Sequence, residues 1–409
     1  MSATPDATVE GPASWRAVAL TTAIITVGFG APYVSVVALK AIAADLGAPR
    51  SVPALANSLA YLGIGVGGIA MGWGADRVSV KWIALIGAVA VALGAALSSG
   101  GAVWQLYVGH GLLIGLLGDA ALFPPMMTYV SRWFDRRRGL ALSLVAGGQQ
   151  LAGAFWPLVF GYAIERIGWQ RTFLWYAAAA ALLLVPLALL LRPPPRPVPV
   201  AASASPAPRA RTRAGARSSD MLFVLLSAAI VCCCIPMAMP MVHLVAFCSD
   251  LGYGAARGTE MLSLLLGAAL FSRVLWGRLS DRIGGLLTVL YGSLFQAIGL
   301  ALFLVVRDLT ALYVVSAALG FGFSGIIPAY VLAVREFFPA EGAGWRIGTL
   351  LFAGLAGMAF GGWLAGLLYD WAGYYGPAFA VGLGFNLANL AIVGALLPGR
   401  RRPAPLAAA

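Results

Sequence analysis

Arg273 lies inside the apolar run Phe271-Ser272-Arg273-Val274-Leu275-Trp276. A permanent positive charge is expensive in that setting and marks a functional position by default. A guanidinium offers a planar fork of donors that can hold a carboxylate at two points. The plainer reading is an arginine that stretches toward the interface and supports a loop. Asp119, in Leu116-Leu117-Gly118-Asp119-Ala120-Ala121, is the second candidate, because a carboxyl in hydrocarbon can accept and release a proton. A structural, hydrogen-bonded aspartate is the competing account. Lys40 closes the first apolar run in Val37-Ala38-Leu39-Lys40, where a cation could attract an anion or simply extend to the interface. Gln149 and Gln150 are polar residues in an apolar span, and Tyr33 follows Pro32 at a predicted bend. All are candidate substrate contacts, with helix-to-helix hydrogen bonding the bland alternative. His110 and His243 could relay protons, although a satisfied, hydrogen-bonded histidine is the commoner arrangement.

These residues sit in a chain that is 61% hydrophobic and 10% charged, with mean hydropathy +0.88. Soluble domains carry about 25% charged residues, so most of this chain is not solvated by water. About 20 apolar residues span a bilayer as a helix. Twelve such runs are predicted, at approximately 16–42, 52–74, 81–100, 103–131, 138–164, 170–192, 220–248, 259–277, 286–306, 309–335, 344–369 and 374–397. Residues 193–219, rich in proline, arginine, alanine and serine, read as a basic linker. The expected organisation is a tail (1–15), a six-helix bundle (16–192), that linker, a second six-helix bundle (220–397) and a second tail (398–409).

The net charge of +12 follows topology and points to no nucleic acid. Twenty of the 27 Lys and Arg residues fall in the N-terminus, the even-to-odd loops and the C-terminus. Positive-inside bias therefore predicts both termini in the cytoplasm of a multi-pass cell-membrane protein. No Lys or Arg precedes Arg16, and the first apolar run is too long for a signal core, so no cleaved leader is expected. Cys232, Cys233, Cys234 and Cys248 lack paired metal-ligand spacing and read as small buried residues, so neither metal nor cofactor is expected. No nucleotide-binding loop and no hydrolase signature is present, which argues against an enzyme.

The sequence also repeats itself. Gly277-Arg278-Leu279-Ser280-Asp281-Arg282 echoes Gly72-Trp73-Gly74-Ala75-Asp76-Arg77, each after the second helix of its half. Duplicated halves are the architecture of alternating-access carriers. On these residues the chain resembles the major facilitator superfamily, whose motif links helices 2–3 and 8–9. The resemblance implies an all-α membrane protein of twelve transmembrane helices in two pseudo-symmetric six-helix bundles. It also implies that Gly72, Asp76, Arg77, Gly277, Asp281 and Arg282 form a cytoplasmic gate. Trp133-Phe134-Asp135-Arg136-Arg137-Arg138-Gly139-Leu140-Ala141, running on to Gly148, resembles the helix-5 signature of the monocarboxylate transporter and oxalate/formate antiporter family, in its bacterial branch. Arg273 falls where that family places its helix-8 arginine. The acid that animal members carry one turn earlier is Ala269 here.

The resemblance therefore implies a monomeric secondary transporter in the lipid bilayer. Its substrate would be a small organic anion, expected to be a monocarboxylate, moved by proton symport or by exchange. Arg273 would hold the carboxylate, with Lys40, Tyr33, Gln149 and Gln150 assisting and Asp119 taking the proton. Two rivals remain at this stage: efflux of drugs or amphipathic compounds, and a sensor or scaffold that kept the fold.

Overall fold

A computed structural model describes residues 10–75, 77–194, 216–338 and 343–397. Asp76, most of the predicted linker and both chain ends lie outside the described residues. Every described element is helical, as a hydrocarbon solvent demands, because a helix satisfies its backbone within its own segment. Eleven described stretches are long and apolar enough to cross a membrane. The longest, Arg138–Leu189, is two helices parted at Gly168, which turns at φ 79°. Twelve spans result, as the composition predicts.

Two compact units emerge: Met1–Ala48 with Leu59–Ala210, and Pro49–Ser58 with Arg211–Ala409. The first contains α1 (Pro12–Gly28), α2 (Ala31–Val37), α3 (Leu39–Asp45), most of α4 (Ser51–Ala75) and α5 (Val80–Ser98). It continues through α6 (Val103–Tyr107), a π-helical stretch (Val108–Asp119), α7 (Ala120–Leu122), α8 (Pro124–Ser131), α9 (Arg138–Ile167) and α10 (Trp169–Leu189). The second unit holds α11 (Ala216–Asp250), α12 (Gly254–Ile283), α13 (Gly285–Val305), α14 (Leu309–Phe323), α15 (Ile326–Phe337), α16 (Ala343–Ala372) and α17 (Gly376–Leu396). The first two turns of α4 count with this second unit.

Proline decides where the predicted spans break. The first run, expected to be continuous, is interrupted at Phe29 and Gly30, because Pro32 has no N–H to offer the Gly28 carbonyl. Pro124-Pro125 likewise opens a new helix after Phe123, and Pro328 sits in the first turn of α15, where a proline is tolerated. Pro157, Pro236 and Pro240 stay inside continuous helices. The repeated loop differs between its two copies. Gly284 turns at φ 85° ahead of α13, whose first N–H groups need acceptors, and the Glu336 carboxylate accepts from the Gly285 N–H at 2.7 Å. In the first copy Ser79, at φ −55°, makes the equivalent entry to α5.

Candidate functional site

In the first unit the two helix interruptions meet. Phe29 and Phe123 pack edge to face with ring centres 5.8 Å apart. Breaking α1 from α2 frees carbonyl groups that hydrocarbon cannot satisfy. Gly30 N–H turns back to Val27 O rather than Thr26 O. Trp156 Nε1 then donates to Thr26 O at 2.7 Å, and the Tyr176 hydroxyl stands 2.5 Å from Val27 O and 3.1 Å from Gly28 O. Only glycine fits at position 30, since a Cβ would lie 2.7 Å from Trp156 Nε1 and 2.8 Å from the Tyr176 ring. Tyr33 begins the continuation one turn later and is half-buried.

Asp119 ends the π-helical stretch, four residues before the second interruption. Such π geometry is rare and concentrates at functional sites. It is held here by backbone approach: a Cβ on Gly67 of α4 would lie 2.1 Å from Leu116 O. Asp119 is fully buried, and neither of its oxygens accepts a hydrogen bond among the described residues. Tyr33 and Tyr176 both lie within electrostatic reach of it. The first unit thus brings Asp119 and Tyr33 into one neighbourhood. Gln149 and Gln150 are half-buried on α9 just after Gly148, whose carbonyl accepts from Thr26 Oγ1 at 3.2 Å. Gly148 itself packs on α1 beside Thr22 and Ile25. Lys40 is exposed on α3, beyond that break.

His110 lies on the π-helical stretch with Nδ1 3.1 Å from both Leu106 O and Ser98 Oγ, and its ring meets Phe173 edge-on. That is a structural setting. The signature entering α9 has a structural partner that no sequence pattern revealed. Glu10 Oε1 accepts the N–H of Asp135 at 3.1 Å and of Arg137 at 2.8 Å, and Glu10 N–H donates to Trp133 O. The Arg137 N–H is the main cause holding the Glu10 carboxyl below the usual range, against a smaller opposing effect of burial.

In the second unit Arg273 occupies a defined face of α12. Leu266, Ala269, Trp276 and Ser280 stand at the −7, −4, +3 and +7 positions from it, and all four are buried. Phe271, Val274 and Leu275 are exposed on the other side. The neighbouring Ser272 Oγ is 2.6 Å from Ser324 Oγ, and Trp276 Nε1 donates to Phe321 O at 2.6 Å, so this part of α12 is fixed in register. Arg273 and Asp119 lie in different units. Of the repeated loops, Arg77 stacks over Trp73 at 3.7 Å, while Asp281 and Arg282 are exposed and form no ion pair among the described residues. A Cβ on Gly72 or Gly277 would meet nothing within 4 Å among the described residues.

Two further clusters lie in the second unit. Arg50 grips Asp250 with both Nη atoms, at 2.5 and 2.8 Å, and donates to the Tyr375 hydroxyl at 3.1 Å. Burial works against the Arg50 charge, but the bonds to Asp250 and Tyr375 outweigh it and raise its pKa. Deeper in the unit, Tyr330 donates to Asn389 Oδ1 at 2.6 Å, and Asn389 Nδ2 donates to Ser293 Oγ at 2.7 Å. Asn386, one turn away and fully buried, has no hydrogen-bond partner on either side-chain atom among the described residues.

Comparison with known proteins agrees with this architecture. The sequence model of the Major Facilitator Superfamily matches residues 18–295 and 224–409. Monocarboxylate transporter 13 of Bos taurus is 30% identical over 318 residues, 76% of this chain and 72% of that protein. Its Rattus norvegicus counterpart is 28% identical over 322 residues, 78% of this chain and 73% of that protein. YhjX of Escherichia coli (strain K12), an MFS-type transporter, is 23% identical over 307 residues, 73% of this chain and 74% of that protein. Among solved structures, the peptide transporter POT in complex with sulfate superposes with TM-score 0.73 at 17% identity, covering 93% of this chain and 95% of that one. A bacterial homolog of the human lysosomal transporter Spinster gives 0.71 at 16%, covering 97% and 100%. At these identities the structures speak to the fold alone. With a family match running through both halves, this chain belongs to the Major Facilitator Superfamily.

Proposed function

We propose that this transporter carries a small organic anion, a monocarboxylate, by alternating access, either with a proton or in exchange for another anion. The observation that carries the reading is the position of Arg273 on the buried face of α12, away from exposed Phe271 and Leu275. A guanidinium on that face presents a planar fork of donors that can hold a carboxylate at two points through charge-assisted hydrogen bonds. The names of the mammalian relatives support the substrate class. Asp119 is assigned the proton, because a fully buried carboxyl without hydrogen-bond donors is best tolerated neutral. Tyr33, Gln149 and Gln150 are assigned to polar contacts with the substrate, and Lys40 to attracting it from solution. Gly72, Asp76, Arg77, Gly277, Asp281 and Arg282 are assigned to the cytoplasmic gate.

The test is uptake into proteoliposomes. An inward proton gradient or an internal anion should drive accumulation of labelled lactate-type acids, and no accumulation under either condition refutes the reading. One observation favours efflux of amphipathic cations instead. Asp119 lies near an aromatic group of Phe29, Phe123, Trp156 and Tyr176, which suits a lipophilic cation. Accumulation of such cations without acids would select that alternative.

A further inference from the structure

Pro49–Ser58 is seated in the second unit by a set of contacts that far exceeds what a loop end needs. The Asp370 carboxylate accepts the N–H of Arg50 at 2.7 Å and of Ser51 at 2.9 Å, capping the start of α4. The Arg50 guanidinium holds Asp250 at two points and lies over the Tyr369 ring, 3.8 Å from its centre. Glycines on α16 give the segment its seat: a Cβ on Gly366 would lie 2.8 Å from Ser51 Cα, and one on Gly362 would lie 3.4 Å from Ser58 Oγ.

His243 completes the cluster, and the direction of its hydrogen bonds can be worked out. Its Nε2 is 2.8 Å from Gly362 O, an acceptor only, so Nε2 carries the proton. Its Nδ1, 3.0 Å from the Tyr375 hydroxyl, must then accept. Tyr375 therefore gives its one hydrogen to His243 and receives Arg50 Nη1–H at 3.1 Å. The ordered chain runs Arg50 to Tyr375 to His243 to Gly362, and it exists only while His243 is neutral. A proton on Nδ1 would leave Tyr375 without its acceptor and put a second cation two hydrogen bonds from Arg50.

We infer that His243 is a proton-binding site whose occupation is exclusive with the seated position of Pro49–Ser58, so that protonation releases this segment from the second unit. The charged and titratable groups facing the cluster are Asp250 on α11, Arg50 on the segment itself, and Tyr369, Asp370 and Tyr375 on and after α16. Asp250 and Asp370 stay behind on the second unit when the segment leaves, ready to take Arg50 back once the proton departs, which keeps the release reversible. The only bond formed is N–H: Nδ1 gains a proton from water, and the Tyr375 hydroxyl hydrogen turns to another acceptor. This inference is independent of the substrate assigned to Arg273.

Hydrogen exchange on the full-length protein in nanodiscs, without substrate, tests it. Protection factors over residues 50–58 should fall about tenfold or more between pH 7.5 and 5.5, while those of α13 stay constant. His243→Gln should abolish this response, and Arg50→Gln should leave the segment unprotected at both pH values with α13 still protected. Constant protection in the unmodified protein overturns the inference, as does a pH response that survives in His243→Gln.

Discussion

Phe29 and Phe123 touch edge to face at 5.8 Å, and each stands at the point where its own membrane span is interrupted. Asp119 precedes one interruption and Tyr33 follows the other. Transporters of duplicated architecture build their sites from discontinuous helices, whose freed backbone groups must be satisfied locally. Here aromatic side chains provide that service, and this makes the interruption testable.

Tyr176→Phe should destabilise the first unit by about 1–3 kcal/mol, because it takes the hydroxyl donor from the Gly28 carbonyl and leaves Val27 O with the Gly30 N–H alone. Denaturation of the purified protein measures this. A change within about 0.3 kcal/mol would mean that the carbonyls find another partner.

Asn386→Leu should leave stability unchanged or raise it by about 1 kcal/mol, since both polar atoms of the amide are buried without partners. A loss of transport with stability retained would instead give Asn386 a functional contact.

Glu10 should make the loop entering α9 sensitive to acid. Its folded-state pKa lies below the ordinary glutamate value, so its contribution is present above the unfolded pKa and is lost as pH falls through the folded value. Protection factors of the Asp135 and Arg137 amides should therefore decline as pH falls below the usual glutamate range. Glu10→Gln should remove that decline, and a decline of equal size in the variant would assign it to other groups.

Asp119→Asn keeps the shape of the side chain and removes its capacity to bind a proton. Uphill acid uptake driven by a proton gradient should be lost, while exchange of one anion for another persists. Retention of proton-driven uptake would exclude Asp119 from coupling.

The parts of this molecule that were legible in the sequence are those written locally. Apolar runs of bilayer length gave the spans, and the repeated Gly-x-x-x-Asp-Arg gave the duplication, because both depend on neighbours in the chain. The bend at Pro32 was visible for the same reason, although its extent was not: α1 starts at Pro12 and the span splits at Phe29. The π-helical stretch was hidden, since it arises from backbone approach at Gly63 and Gly67 rather than from its own composition. Arg50 read only as a loop charge. Its partners, Asp250 and Tyr375, lie 200 and 325 residues away, and no local pattern records such a pairing. Glu10 was invisible for the same reason, as its partners lie 125 and 127 residues ahead.

Uptake by reconstituted Arg273→Gln and Arg273→Lys measures the role of Arg273 most directly. A bidentate grip on the substrate predicts that both variants fold, elute as the unmodified protein does, and lose acid uptake by at least ~30-fold, with lysine failing because a point charge cannot replace the fork. Uptake of acids by Arg273→Gln at the unmodified rate would contradict it.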